Sequence, residues 1–332
     1  MDFARLAEIA GAHADARSIQ VAVKLGMFEA LAGAPLDDAA LAGALGTERR
    51  ATAILANALA ALGLIEKSAG RFSLKETSRR YLLRSSAEYV GGWILFDEAI
   101  FPFWAHLEES IRTGRPARTP DMFQSEPADT ERFIRAMDSL VRARGDARWV
   151  ADHLDLAGVR TIADLGGGPG TYVAALLKRW PALGASIYDL PATLEVARRI
   201  LAEREPEVAS RIALVSVDYL KDEIPGPIDA LFLSNVIHSE DEAVNAELMR
   251  KCFRSLAPGG TIIIKDHVMN RDMTEPRAGA VFSLYLLLKA RGRNYSFEEV
   301  SGWLAAAGFR SVSLDPLPHP PFTSSLVIAR KP

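Results

Sequence analysis

Cysteine is nearly absent from this chain. Cys252 is the only one in 332 residues, which excludes a disulfide framework and a cysteine-ligated zinc cluster. Histidine is also scarce, with six residues and no His-x-x-x-His spacing. His13, His106 and His153 fall in helical stretches and His319 sits in "PHPP", so no metal is expected. No window holds 18 consecutive apolar residues; the patch around Val90–Phe96 is cut by Asp97 and Glu98, so a membrane span is not expected. The N-terminus lacks the charged-then-apolar layout of a signal peptide. A net charge of only −3 gives no electrostatic reason for nucleic acid or an anionic membrane as partner. These absences lead us to expect a cytoplasmic protein. At 49% hydrophobic and 24% charged residues, the chain has the composition of a globular protein with a substantial core. Its length suits two domains.

The two halves follow different patterns. Residues 1–155 read as almost all helix, with Ala and Leu at helical spacing in "FARLAEIAGAHADARSIQVAVKLGMFEAL" and "ATAILANALAALGLI". The exception is "IEKSAGRFSL", two extended pieces around Ala69-Gly70, a small hairpin. Helices followed by a hairpin suggest a winged helix over roughly residues 20–84. From about residue 158 strands alternate with amphipathic helices: "VRTIADL", "GASIYDL", "RIALVSV", "IDALFLSN" and "TIIIKDHVM" are the strands. That alternation predicts βαβ units and an α/β fold with a mostly parallel sheet. After a helix over about 296–307, "SVSLDPL" and "SSLVIAR" predict an antiparallel hairpin at the sheet edge. "SEDE" (239–242) and "SFEE" (296–299) have the form of capping boxes, with Ser239 and Ser296 as N-caps.

The chemistry-bearing motif is "DLGGGPG", residues 164–170, between the first strand and first helix of the alternating half. Ligands bind at this end of a parallel sheet. The dinucleotide fingerprint fails, because Thr171 and Tyr172 stand where a third glycine is needed, and no P-loop lysine follows. The spacing is instead Asp164-x-Gly166-x-Gly168-x-Gly170, a loop for a ligand that lies close to the backbone without a pyrophosphate. Asp189 ends the second strand and can accept hydrogen bonds from vicinal ribose hydroxyls. Asp218 ends the third and is followed by Tyr219, a carboxylate and a ring suited to an adenine amine and face. Together these predict an adenosine-bearing cofactor.

With these segments in view, the chain resembles the S-adenosylmethionine-dependent O-methyltransferases of the plant caffeate and bacterial polyketide type. The segments that carry the likeness are "DLGGGPG", "YDLP" (188–191), "VDYLKDEIPGPIDALFLSNVIHSEDE" (217–242), "LAPGGTIIIKD" (256–266) and "AAAGF" (305–309). The N-terminal "LGMFEAL" and the stretch from "LAGALG" to "RRYL" look like that family's helical dimerisation domain, which implies a homodimer. The resemblance implies a class I methyltransferase domain over 156–332, with residues 1–155 as a winged-helix-like dimerisation and lid domain. It implies S-adenosylmethionine as cofactor, held by Asp164, Gly166, Gly168 and Gly170 at the methionine part, and by Asp189 and Leu190 at the ribose. Asp218 and Tyr219 would hold adenine, and Ser234 and Asn235 would line the fourth strand end. It places His238 at the general base, steadied by Asp266. Asn294 stands where the family's second base-orienting carboxylate is usual, and Ser239 and Glu240 replace the usual aspartate and tryptophan after the base.

An imidazole within reach of a phenol can take its proton as the methyl is transferred. The acceptor pocket is expected to be apolar, drawn from Trp93, Phe96, Phe103, Met122, Phe133, Met137, Met269, Phe282 and Leu286, with Asn294 beside it. Methionines beside rings suit a flat aromatic, so a phenolic or polyketide-like small molecule is the expected acceptor. The altered base surroundings leave open carbon, nitrogen or sulfur methylation, or a reaction other than methyl transfer, on the same cofactor site. The non-enzymatic alternative is a winged-helix DNA-binding regulator. Residues 1–84 carry 11 Lys+Arg against 9 Asp+Glu, a balance of +2, and the candidate reading helix "TERRATAILANALAALG" is apolar beyond its start.

Overall fold

A computed structural model describes residues 1–118, 121, 123–317 and 324–332; of the pocket candidates, Met122 lies outside the described residues, as does His319. The chain forms two compact units, Met1–Phe101 and Pro102–Pro332. Among the described residues no helix is long and apolar enough to cross a membrane.

In the first unit the elements run α1 (Phe3–Leu25), α2 (Met27–Ala30), β1 (Leu36–Asp37), α3 (Asp38–Leu45), α4 (Arg49–Ala61), β2 (Ile65–Ser68), β3 (Arg71–Leu74), α5 (Glu76–Leu82) and α6 (Gly91–Ile100). The expected hairpin is β2–β3, turned at Ala69 and Gly70, both at positive φ as a tight two-residue turn requires. With β1 it makes a three-stranded sheet, the wing beside α3 and α4. Side-chain carboxylates of Asp2, Asp37 and Glu48 cap α1, α3 and α4. Phe28, Leu31, Leu41, Leu59, Ile65 and Phe72 are the centre of its core.

The second unit continues with α7 (Leu107–Thr113), α8 (Pro127–Arg144), α9 (Asp146–His153), β4 (Thr161–Leu165), α10 (Thr171–Arg179), β5 (Gly184–Asp189), α11 (Pro191–Arg204), α12 (Pro206–Ala209), β6 (Ile212–Ser216), β7 (Ile228–Ser234), α13 (Glu242–Ser255), β8 (Leu256–Asp266), α14 (Arg277–Lys289), α15 (Phe297–Ala307), β9 (Arg310–Pro316) and β10 (Ser325–Arg330). The last helix before this sheet, α9, ends at His153, and its first strand, β4, begins at Thr161. The sheet order is β6-β5-β4-β7-β8-β10-β9. The first five strands are parallel, and β10 is antiparallel to β8 and β9. The predicted terminal hairpin is thus present, with β9 as the edge. Near-continuous apolar runs such as Ala230–Leu233 and Ile262–Ile264 are buried on both faces, as a sheet covered by helices on both sides requires. One face packs on α9 and α10, the other on α13 and α15.

β4 sits between β5 and β7, so the chain crosses to opposite sides at this point. The helices that follow β4 and β7 lie on opposite faces of the sheet, and ligands of open α/β folds bind at such a point.

Two local expectations divide. Ser296 forms the expected capping box with Glu299. Ser239 does not cap α13: Asp241 is the N-cap, its carboxylate accepting from the Val244 N–H. Ser239 lies instead in a buried 3-10 turn, Ile237–Ser239. The reason is Asn245, whose amide donates to the Ile237 and Glu240 carbonyls at 2.8 and 3.0 Å and folds the turn inward ahead of the helix. α14 was not anticipated as a helix, although Phe282, Tyr285, Leu286 and Lys289 recur at its spacing.

Candidate active site

The glycine run forms the turn from β4 into α10. Gly166, Gly168 and Gly170 all have positive φ. Asp164 is buried beneath the turn, and neither carboxylate oxygen has a hydrogen-bond partner. Burial, and then the charge of Asp189, push this carboxyl well above the ordinary aspartate range. A Cβ on Gly167 would stand 2.9 Å from the Asp164 carboxyl carbon, so a side chain there would displace it. A buried acceptor without a partner is costly to the unliganded protein and could take a donor from a ligand.

Asp189, at the end of β5, accepts from the Gly168 N–H at 2.9 Å and the Leu190 N–H at 2.7 Å. Burial raises its carboxyl despite those bonds. The two contacts place Asp189 beside the glycine turn. Asp218 follows β6. Its carboxylate accepts from the Leu220 N–H at 3.1 Å and from Lys221 Nζ at 2.7 Å. Tyr219 donates its hydroxyl to Glu240 Oε1 at 2.9 Å. Lys251 Nζ donates to the Tyr219 and Asp222 carbonyls, both at 2.8 Å, and pins the turn.

At the end of β7, Asn235 adopts a left-handed conformation with φ 58°. Its N–H donates to the Lys265 carbonyl at 2.8 Å and its side-chain amide to Ser234 Oγ at 3.0 Å. A fully buried network lies in the same layer, and sequence reasoning missed it. Lys265 Nζ is 3.1 Å from Asp146 Oδ2 and 3.2 Å from Ser324 Oγ. The Tyr172 hydroxyl, one residue into α10, donates to the same Asp146 oxygen at 3.0 Å. Burial lowers the Lys265 ammonium and Asp146 opposes it. The signal was present: a lysine inside the apolar strand "TIIIKD" needs a buried partner.

His238 occupies the 3-10 turn after β7 and is buried. Its Nδ1 lies 2.8 Å from Asp266 Oδ1 at the end of β8. The same carboxylate oxygen accepts the His267 N–H at 2.8 Å. Burial would raise the Asp266 carboxyl, but the His238 ring, its hydrogen bond and His267 outweigh it and hold the group below the usual value. With Nδ1 engaged by the carboxylate, Nε2 is the ring nitrogen left for an acceptor. Glu240, two residues on, is buried, and burial raises its carboxyl.

Phe282 of α14 meets the His238 ring edge-on, centroids 5.2 Å apart, and Tyr285 meets Phe282 at 5.7 Å. Leu286 is fully buried on the same helix. Met269 is buried, its N–H donating to the Tyr295 carbonyl at 2.9 Å, and its sulfur lies where a Cβ on Gly279 would come within 2.6 Å. Phe133 and Met137 are on α8, half-buried, and Phe133 stacks on Phe123 at 4.8 Å. Phe103 is half-buried in the 3-10 turn Phe101–His106. On α6 of the first unit, Phe96 is buried and Trp93 is 38% exposed. Asn294 is buried, but its amide donates to the Gly279 carbonyl at 2.6 Å and to Ser283 Oγ at 3.1 Å, tying it to α14.

Residues 104–310 match the O-methyltransferase domain family and residues 7–84 the O-methyltransferase dimerisation domain. The chain is 32% identical over 302 residues to a 3-hydroxy-5-methyl-1-naphthoate 3-O-methyltransferase from Streptomyces sahachiroi, covering 89% of this chain and 86% of that one. It is 30% identical to the tetracenomycin polyketide synthesis 8-O-methyl transferase of Streptomyces glaucescens, covering 95% and 93%. The fold superposes on human N-acetylserotonin methyltransferase, solved in complex with SAM, with a TM-score of 0.88 at 22% identity, covering 100% and 98% of the two chains.

Proposed function

This chain belongs to the O-methyltransferase family and is an S-adenosylmethionine-dependent methyltransferase, and we propose that it methylates a hydroxyl of a small aromatic acceptor with His238 as general base. The observation that carries this reading is the 2.8 Å contact of His238 Nδ1 with Asp266, which leaves Nε2 to take a phenolic proton. Aromatic and polyketide acceptors in the names of two relatives support the acceptor class.

The residues fit the cofactor. When bound, S-adenosylmethionine supplies a methyl on sulfonium sulfur, an electrophile that needs no further activation. The unpartnered Asp164 carboxylate is suited to the methionine ammonium, and the Gly166, Gly168 and Gly170 backbone leaves room for the chain that carries it. Asp189 and Leu190 would take the ribose. Asp218 and Tyr219 would take adenine, which requires Asp218 to share or exchange its contact with Lys221. Ser234 and Asn235 would line the crevice between these groups and His238. His238 then removes the acceptor proton while Asp266 orients the ring and stabilises its protonated form. Phe282 and Tyr285 offer apolar faces to the acceptor ring, and positioning supplies much of the rate.

Homodimerisation fits the dimerisation-domain match. It also fits α1, where Phe3, Leu6 and Ile9 are exposed at 83%, 54% and 43%, an apolar surface that a second copy would cover.

The test is methyl transfer from S-adenosylmethionine to hydroxynaphthalenes, with the product identified by NMR. An O-methyl product from the native protein, lost in His238→Ala while S-adenosylhomocysteine still binds, supports the reading. Full turnover by His238→Ala at neutral pH would exclude His238 as base, and a C-methyl product would exclude the O-methylation assignment.

A further inference from the structure

Three lysines of the second unit are buried, and two are satisfied. Lys265 has Asp146 and Ser324, and Lys251 has two carbonyls. Lys289, at the last position of α14 and 7% exposed, has neither. Its ammonium is surrounded by rings: Tyr285 at 5.3 Å, Phe123 at 5.6 Å and Phe133 at 5.7 Å to the centroids. Among the described residues no carboxylate pairs with it and no acceptor bonds it. Arg118 adds a second cation nearby, its guanidinium 4.4 Å above the Phe123 ring, while its backbone N–H donates to the Leu288 carbonyl at 3.1 Å. Asp121 is already engaged by Arg118, and Glu240 by the Tyr219 hydroxyl. Burial and the Arg118 charge push the Lys289 ammonium down to about 8. Ring faces stabilise an ammonium only partly, so an unpaired one at such depth is costly to the unliganded protein.

Phe282, Tyr285 and Lys289 share one face of α14, and Phe282 touches His238. Seven residues separate Phe282 from Lys289, about 10 Å along the helix axis. That span suits a two-ring aromatic with its hydroxyl at His238 and an anionic group at its far end.

Resting on the aromatic O-methylation reading above, we propose that Lys289 is a specificity-determining residue that pairs with a carboxylate on the acceptor, so that the substrate is a hydroxyaryl acid. The acid completes the ion pair that the fold leaves open, and the rings around Lys289 exclude water from it.

The test uses 6-hydroxy-2-naphthoate and 6-hydroxy-2-naphthamide, which differ in charge at the end opposite the hydroxyl. Binding to the protein loaded with S-adenosylhomocysteine is measured by calorimetry for the native chain, Lys289→Met and Lys289→Arg. The expected result is at least tenfold tighter binding of the acid by the native protein. Lys289→Met abolishes that preference without weakening the amide, and Lys289→Arg retains it. In turnover, Lys289→Met raises KM for the acid at least tenfold with kcat within twofold. Equal binding of acid and amide by the native protein, binding of neither, or equal weakening of both by Lys289→Met would overturn the proposal. Acid-selective binding without methylation would overturn the reading that an aromatic hydroxyl is methylated at His238 and leave the Lys289 assignment standing. Methylation of both compounds without preference would do the reverse.

Discussion

His238 and Asp266 stand on consecutive strand ends of the sheet, and their side chains meet at 2.8 Å although 28 residues separate them. The contact fixes the imidazole before any acceptor arrives. His238→Ala is expected to lower kcat by roughly 10²–10⁴-fold, the usual range for a general base. Cofactor affinity, read by calorimetry, stays unchanged. Asp266→Asn lowers kcat through the same contact, and it also changes acid stability. The Asp266 carboxyl is held below its unfolded value, so the unfolded state binds more protons just below the ordinary aspartate pKa, and stability is lost as pH falls through the folded value. Acid unfolding followed by circular dichroism should therefore lose this component in Asp266→Asn.

Asp164 has the opposite sign. Its folded carboxyl is raised by burial and Asp189, so the native apo state holds a proton that the unfolded chain releases, and apo stability falls as pH rises above the ordinary aspartate value. Asp164→Asn is expected to leave the apo protein as stable as the parent or more so at pH 7. The rise in Tm on adding S-adenosylmethionine should shrink, because the neutral amide cannot pair with the methionine ammonium. A variant that unfolds at much lower temperature but keeps the full ligand-induced rise would contradict this.

Lys289→Met is expected to stabilise the unliganded protein at pH 7 by about 1 to 3 kcal/mol, since it removes an unpaired buried cation. The native Lys289 is lowered to about 8 from an unfolded value of 10.5. Between those values the unfolded state binds the extra proton, so native stability climbs with pH and the advantage of the variant disappears above it. Urea unfolding at pH 7 and pH 10 measures the difference.

Asp146→Ala should cost about 3 to 5 kcal/mol, because it strands the Lys265 ammonium and the Tyr172 hydroxyl. Adding Lys265→Met should recover part of that loss. A double variant no more stable than Asp146→Ala alone would show that the ion pair is not the source of the cost.

Much of this protein was legible in one dimension because its signals are local. The glycine turn, the aspartates at three strand ends and the strand–helix alternation need only neighbouring residues to specify backbone conformation, and each appears where the sequence put it. The hairpin at Ala69-Gly70 and the capping box at Ser296 are of the same kind. Ser239 failed as a cap because a competing contact, Asn245 to Ile237, comes from the next helix rather than from the turn itself. The partners of buried charges are set by sheet order and helix packing, which bring Asp146 to Lys265 across 119 residues and Ser324 across 59. The same packing turns Asn294 toward Gly279 and surrounds Lys289 with rings while giving it, among the described residues, no carboxylate. The sequence by itself led to the expectation of an adenosine-type site at the end of a parallel sheet, and it determined the sheet. Only the tertiary structure decided which buried charges are paired and which are not, because pairing depends on distance in space and burial, and neither is written in the order of residues.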